Sequence, residues 1–315
     1  MKKIFLLLLI MSQVFASTKL DNFFMSNHAQ KLCEQAQRVN GARIYRQLRA
    51  IYTNQAEIVF LYRMPNNYLL KLINLNSNTT RELEADEEII DVIIQDQTLY
   101  ALGMKSIYEF DLLNLVLLKR YKIHNAQITK YQRPYQFTLK NNLFYIAFGE
   151  LGIKVFDKAQ NQVSSIYKPV LDNKPGHISL VSGVTVLGDD LVSAYDNLTL
   201  GNNRGDRAFE GVVLKNLITG TEKQLRINQR AEAYHLPYMV RDGEDLYVNN
   251  LELYFAQDLE RMWSRRGALK PDFRHYSFRP GHLIGKALIH DKVMYGCFRD
   301  RGDYKVMHAG IHQLK

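Results

Sequence analysis

The chain has 315 residues, with 41 Lys and Arg against 32 Asp and Glu, so its formal net charge is +9. A hydrophobic share of 46% with 23% charged residues excludes a disordered polyelectrolyte, and two cysteines exclude a disulfide-dense miniature scaffold. The basic surplus favours anionic partners and carries no information about fold.

The chain opens MKKIFLLLLIMSQVFA. Lys2 and Lys3 precede an apolar run from Ile4 to Met11, and Val14-Phe15-Ala16 places small residues where a signal peptidase reads. The run is far shorter than the roughly 20 residues that span a bilayer. Residues 1–16 are therefore predicted to be a secretory signal cut after Ala16, and the mature protein is expected in the periplasm or outside the cell. No Cys follows the run directly, so no lipid anchor is expected, and no later segment reads as a transmembrane helix. In residues 17–41, Leu20, Phe23, Phe24, Leu32 and Val39 recur at helical spacing and Gly41 offers a stop. One short N-terminal helix is expected there, lying on a domain that occupies 42–315.

That domain is repetitive. Residues 98–123 (TLYALGMKSIYEFDLLNLVLLKRYKI) and 142–167 (NLFYIAFGELGIKVFDKAQNQVSSIY) share one order: strand, turn, strand ending Phe-Asp, turn, strand. Residues 57–84, 190–227, 245–266 and 292–314 follow it less closely. Apolar runs at 89–94, 135–139, 178–187, 234–240 and 283–289 precede five of these units and supply one more strand each. Asn74, Asp111, Asp157, Asn216 and Gln257 stand at equivalent points. Four short antiparallel strands recurring every ~40–50 residues point to an all-β fold, a β-propeller of four-stranded blades. Six blades are expected, with five or seven as the neighbouring counts. Turn chemistry agrees, in PNN (65–67), KNN (140–142), GDD (188–190) and ITG (218–220).

Within these units, YIAFGELGIKVFD (145–157) resembles the LVIVD- and YVTN-type repeats of secreted bacterial propellers, with Gly before an alternating strand that ends in Asp. The resemblance is good over 98–123 and 142–167 and fades elsewhere. The Gly-His and Trp-Asp marks of WD40 repeats are missing. It implies the fold and no particular activity.

Cys33 and Cys297 lie near opposite ends of the mature chain. In an oxidising compartment they read as one bond joining the two ends; two buried thiols are the alternative. The last unit lacks a strand, and the N-terminal segment is expected to supply it.

Charge is uneven among the loops. The connection 119–136 holds five Lys or Arg and no acid, and 261–282 holds six Lys or Arg and one acid. In a propeller these connections and the strand 2–3 loops share one face. That face is expected to bind, with Arg265, Arg266, Arg274, Tyr276 and Arg279 as the core and Arg204 and Arg133 beside them, through charge pairing and stacking. RGD occurs at 204–206 and 301–303, where turn preference for Gly and Asp suffices to explain it. His275, His282, His290, His308 and His312 lack metal-ligand spacing, and no GxSxG, Walker A or GxGxxG motif occurs. No metal or cofactor is expected.

The leading expectation is a non-catalytic exported module that docks an envelope protein or an anionic polysaccharide. The export signal argues against nucleic acid. The alternative is a propeller hydrolase of lactonase, phosphodiesterase or glycosidase type, which needs carboxylates or a metal converging at a central channel.

Overall fold

The computed structural model describes residues 19–35, 47–63 except 55, 68–199 except 86, 126, 130 and 172–176, 209, 211–226, 238–249 except 243–244, 253–254, 282–299 except 292, and 307–313. Two compact units divide the chain: residues 1–98 with 276–315, and residues 99–275.

The described residues are mostly antiparallel strand. The first unit holds β1 (Gln47–Thr53), β2 (Glu57–Arg63), β3 (Tyr68–Asn74) and β4 (Thr80–Ala85), then β5 (Ile89–Gln95). The chain end adds β20 (His282–His290), β21 (Val293–Arg299) and β22 (Met307–Gln313). The order is β22-β21-β20-β1-β2-β3-β4, in which one parallel bridge, Ala50 to Lys286, joins a three-stranded and a four-stranded sheet. β6 (Thr98–Gly103), β7 (Ser106–Asp111) and β8 (Leu117–Lys122) complete a four-stranded sheet with β5. The second unit continues with β9 (Gln136–Lys140), β10 (Leu143–Ala147), β11 (Ile153–Asp157) and β12 (Gln162–Tyr167). After these come β13 (His177–Leu187), β14 (Asp190–Thr199), β15 (Gly211–Asn216) and β16 (Glu222–Arg226). A described three-stranded sheet of β17 (Tyr238–Asp242), β18 (Asp245–Asn249) and β19 (Leu253–Tyr254) follows. These are the sequential four-stranded sheets of a β-propeller.

The middle strands are buried on both faces. β2 reads EIVFLYR with only Arg63 exposed, and β10 and β11 are almost wholly buried. Outer strands are exposed, as in β4 (TRELEA) and β12 (QVSSIY). Sheets therefore bury their central strands against other layers and leave the last strand to solvent. Between sheets of the second unit, Tyr145, Ile153 and Val155 pack with Val181, Val184 and Tyr195.

The turn between third and fourth strands repeats four times with one design. The side-chain oxygens of Asn74, Asp111, Asp157 and Asn216 accept backbone N–H groups two or three residues on, at 2.7–3.1 Å. Four residues after each, the chain turns left-handed, at Asn78, Leu115, Asn161 and Gly220. Asn and Gly tolerate that conformation; a leucine pays about 1–2 kcal/mol for it. Leu115→Asn is expected to stabilise the protein by about 1 kcal/mol, read as a rise in the denaturant midpoint at unchanged slope.

The N-terminal segment departs from expectation. Residues 19–24 form one helical stretch and Asn27–Glu34 a second. Ser26 separates them: its hydroxyl caps the second helix by accepting from Ala29 N at 3.2 Å. The helix ends at Gln35, well before Gly41. Leu20, Phe23, Phe24 and Leu32 bury against Phe60, Tyr62 and Tyr295. Tyr62 donates to Leu32 O at 2.9 Å and Tyr295 to Asp21 at 2.8 Å. Among the described residues the segment adds no strand to the last sheet. Instead the helix packs on β22, and Gln30 Oε1 accepts the N–H of Ala309 at 3.1 Å. A side chain thus takes a strand-edge hydrogen bond that a fourth strand would take. Cys33 and Cys297 are bonded, with Cα atoms 5.3 Å apart, and both are fully buried.

β1 is the strand that the sequence reading passed over. QLRAIYT does not alternate cleanly, because its pairing with β2 slips between Leu48 and Ala50.

Candidate functional site

Each four-stranded sheet has two ends. At one end strands 1 and 2, and strands 3 and 4, are joined by short turns; at the other lie the strand 2–3 loops and the connections to the next sheet. Six of the expected binding residues, Arg204, Arg265, Arg266, Arg274, Tyr276 and Arg279, lie outside the described residues, as do both RGD tripeptides and residues 1–18. Arg133 is described, in the connection from β8 to β9.

Around Arg133 the loop end of the β9–β12 sheet is tightly built. The guanidinium lies 5.1 Å from the centroid of the Tyr135 ring, and its Nε is buried with no acceptor among the described residues. Burial raises the Tyr135 phenol, and the Arg133 charge and hydrogen bond only partly offset this. The β10–β11 loop, FGELG, is held against the connection. Glu150 N donates to Tyr131 O at 2.9 Å, and Gln132 Nε2 donates to Glu150 at 3.3 Å. Gly149 (φ 59°) exchanges backbone hydrogen bonds with Val181 of β13, at 3.1 and 3.3 Å.

A second basic group on the same end escaped the sequence reading. Lys154 of β11 is 5% exposed. Its Nζ lies 2.7 Å from His124 Nδ1, 3.4 Å from Ile123 O and 3.7 Å from the centroid of Phe148. Burial pushes the amine down to about 8. His124 is also pushed down, first by burial and then by the charges of Lys154 and Lys105. The β6–β7 turn holds the connection here, since Lys105 O accepts from Ile123 N at 2.9 Å and His124 N at 3.3 Å.

The first strands of the sheets carry polar links of a different kind. Gln136 of β9 donates to Met239 O at 2.6 Å and accepts from Met239 N at 2.9 Å and Val184 N at 3.3 Å, tying β9, β13 and β17 together. In the first unit Lys286 of β20 pairs with Asp91 of β5 at 2.9 Å. Among the described residues no group of three or more His, Cys, Asp or Glu comes together.

At the opposite end, Lys158 donates to Glu109 at 2.8 Å and to Tyr100 at 2.7 Å, and Tyr121 donates to Glu109. Burial alone would raise the Glu109 carboxyl, but hydrogen bonds from Lys158 and Tyr121 and the Lys158 charge outweigh it and hold it below its ordinary value. This carboxylate therefore contributes stability above its unfolded value, near 4.5, and that contribution is lost as the pH falls through the lower folded value. Glu109→Gln is expected to cost about 2 kcal/mol at neutral pH and to flatten the fall in stability below about pH 5, as followed by urea denaturation across acid pH.

No family model matches the chain, and no curated protein matches it. Solved structures do. BamB from Moraxella catarrhalis is 12% identical with a TM-score of 0.46, covering 84% of this chain and 86% of that one. The N-terminal domain of Nup159 is 11% identical with a TM-score of 0.40, covering 89% and 92%. The extracellular domain of the putative one component system BT4673 from B. thetaiotaomicron is 12% identical with a TM-score of 0.45; 87% of this chain aligns to 34% of that one. Among the described residues no helix is long and apolar enough to cross a membrane.

Proposed function

We propose that this protein is an exported, non-catalytic binding module that docks an anionic partner of the cell envelope through its strand 2–3 loops and inter-sheet connections. The observation that carries the reading is Arg133. Its guanidinium is stacked on Tyr135 beside a loop fixed by backbone hydrogen bonds, and its buried Nε has no acceptor among the described residues. A cation held in place with an unmet donor suits a carboxylate or phosphate on a partner. Arg204, Arg265, Arg266, Arg274, Tyr276 and Arg279 would extend this surface. The disulfide fits an oxidising compartment, periplasmic or extracellular.

The test is crosslinking and affinity capture from the producing cell. Wild type runs beside Arg133→Ala and an Arg265→Ala/Arg266→Ala/Arg274→Ala variant. The expected result is a stoichiometric acidic partner whose capture falls at least ~tenfold in the triple variant and weakens with salt. Unchanged capture by the triple variant at low salt overturns the reading.

A further inference from the structure

Lys154 differs from three other lysines that the sheets partly bury. Lys71 meets Glu82 at 2.8 Å, Lys158 meets Glu109 at 2.8 Å and Lys286 meets Asp91 at 2.9 Å. Each brings its own countercharge. Lys154 is more deeply buried than these and has none among the described residues: a carbonyl, an imidazole and an aromatic face surround its amine. The two charges that bear on the neighbouring His124 are Lys154 and Lys105, both positive.

As an ammonium Lys154 only donates, so in that form His124 accepts at Nδ1 and carries its proton on Nε2. A backbone hydrogen bond at Gln127 also bears on the ring. Of the three N–H bonds on Lys154, one goes to His124 and one points at a distant carbonyl, which leaves a donor over. Burying an ammonium without an anion is expensive, and the Phe148 ring repays only part of that cost. Yet the cluster stands at the loop end, where His124 is only half-buried.

We infer that Lys154 and His124, with Lys105 nearby, form a subsite for a single oxyanion, a carboxylate or phosphate group, whose charge the buried ammonium lacks. The inference deepens the docking function proposed above and rests on it for the source of the oxyanion. Lysine, a compact point charge, suits one oxygen, whereas Arg133 with its planar fork suits a bidentate contact. His124 and Arg133 belong to the same connection, from β8 to β9, and one ligand class serves both.

The test is trace acetylation of the whole protein near pH 8, read lysine by lysine in its peptides by mass spectrometry. It is run in chloride, acetate and inorganic phosphate at equal ionic strength. A tenfold preference of the oxyanion for the ammonium form cuts the free amine, and so the labelling of Lys154, about fivefold at that pH. That protection, saturable in acetate or phosphate and absent at Lys71 and Lys158, is the expected result. The arm that protects at lower concentration names carboxylate or phosphate as the source. Equal labelling of Lys154 in all three salts overturns the subsite, and so does a Lys154 that is never labelled, because no anion reaches it. Calorimetry of phosphate with Lys154→Met is the second measurement: saturable heat in wild type should vanish, and heat that persists in a folded variant overturns the assignment. Protection of Lys154 with unchanged partner capture in the triple arginine variant leaves the subsite standing and removes the docking reading. Lost capture without protection does the reverse.

Discussion

Gly149→Ala is expected to lower stability by about 3–4 kcal/mol, among the larger effects available to a single methyl group. Gly149 sits at φ 59°, which already costs an L-residue about 1–2 kcal/mol. The added Cβ would also overlap the Tyr131 carbonyl oxygen and lie 3.0 Å from the Tyr135 ring. A backbone carbonyl cannot swing aside as a flexible side chain does, least of all one that already accepts from Glu150 N. Relief would separate the loop from the connection and break the paired bonds to Val181. Gly188→Ala is the control. Its φ is 52°, but nothing lies within 4 Å of the new methyl, so it should lose only about 1 kcal/mol. Denaturant titrations of the two variants, compared at the same slope, separate packing from backbone preference. If both lose the same small amount, the close approach of the loop to Tyr131 is wrong.

Cys33→Ser is expected to cost about 4–5 kcal/mol, because the bond closes a loop across a sequence separation of 264 residues and the entropy removed from the unfolded chain grows with loop length. The loss is not only entropic. Both sulfurs are fully buried within the cluster that includes Leu32, Tyr62 and Tyr295, so a serine hydroxyl there lacks water. Cys33→Ala with Cys297→Ala separates the two contributions, since it removes the bond without burying a hydroxyl. Thermal unfolding with and without reductant is the measurement. A wild-type protein whose midpoint ignores reductant would show that the bond contributes little.

The repeat could be read from the chain because its marks are local. Asn74, Asp111, Asp157 and Asn216 stand at equivalent positions in the sequence, and each forms the same side-chain-capped turn. The disulfide pairing also follows from having two cysteines in a chain that reads as exported. Legibility failed where packing decides. In GIKVFD, alternation would leave Lys154 facing water, but β11 is buried on both faces and the amine is enclosed. Nothing local in KIHNAQ says that His124 meets it, because the contact spans 30 residues. The N-terminal break was legible and missed: Ser26 followed by Asn27 to Glu34 is a helix start, which hydrophobic spacing alone smoothed over. The missing strand was expected from repeat logic, yet a helix and one glutamine side chain cover that edge instead.

The bond between Cys33 and Cys297 also fixes an order of events. Synthesis runs from N to C, so Cys33 waits across a separation of 264 residues before its partner exists. The second unit is one uninterrupted stretch, residues 99–275, and all of it is made in that interval. The first unit takes its two segments from either side of that stretch, so its buried cluster of Leu20, Phe24, Phe60 and Tyr295 stays half assembled until the second of them is made. Joining those segments therefore follows synthesis of the second unit, with oxidation as its seal. Until then Leu20, Phe23 and Phe24 lack Tyr295, and the nascent chain keeps part of an apolar cluster uncovered.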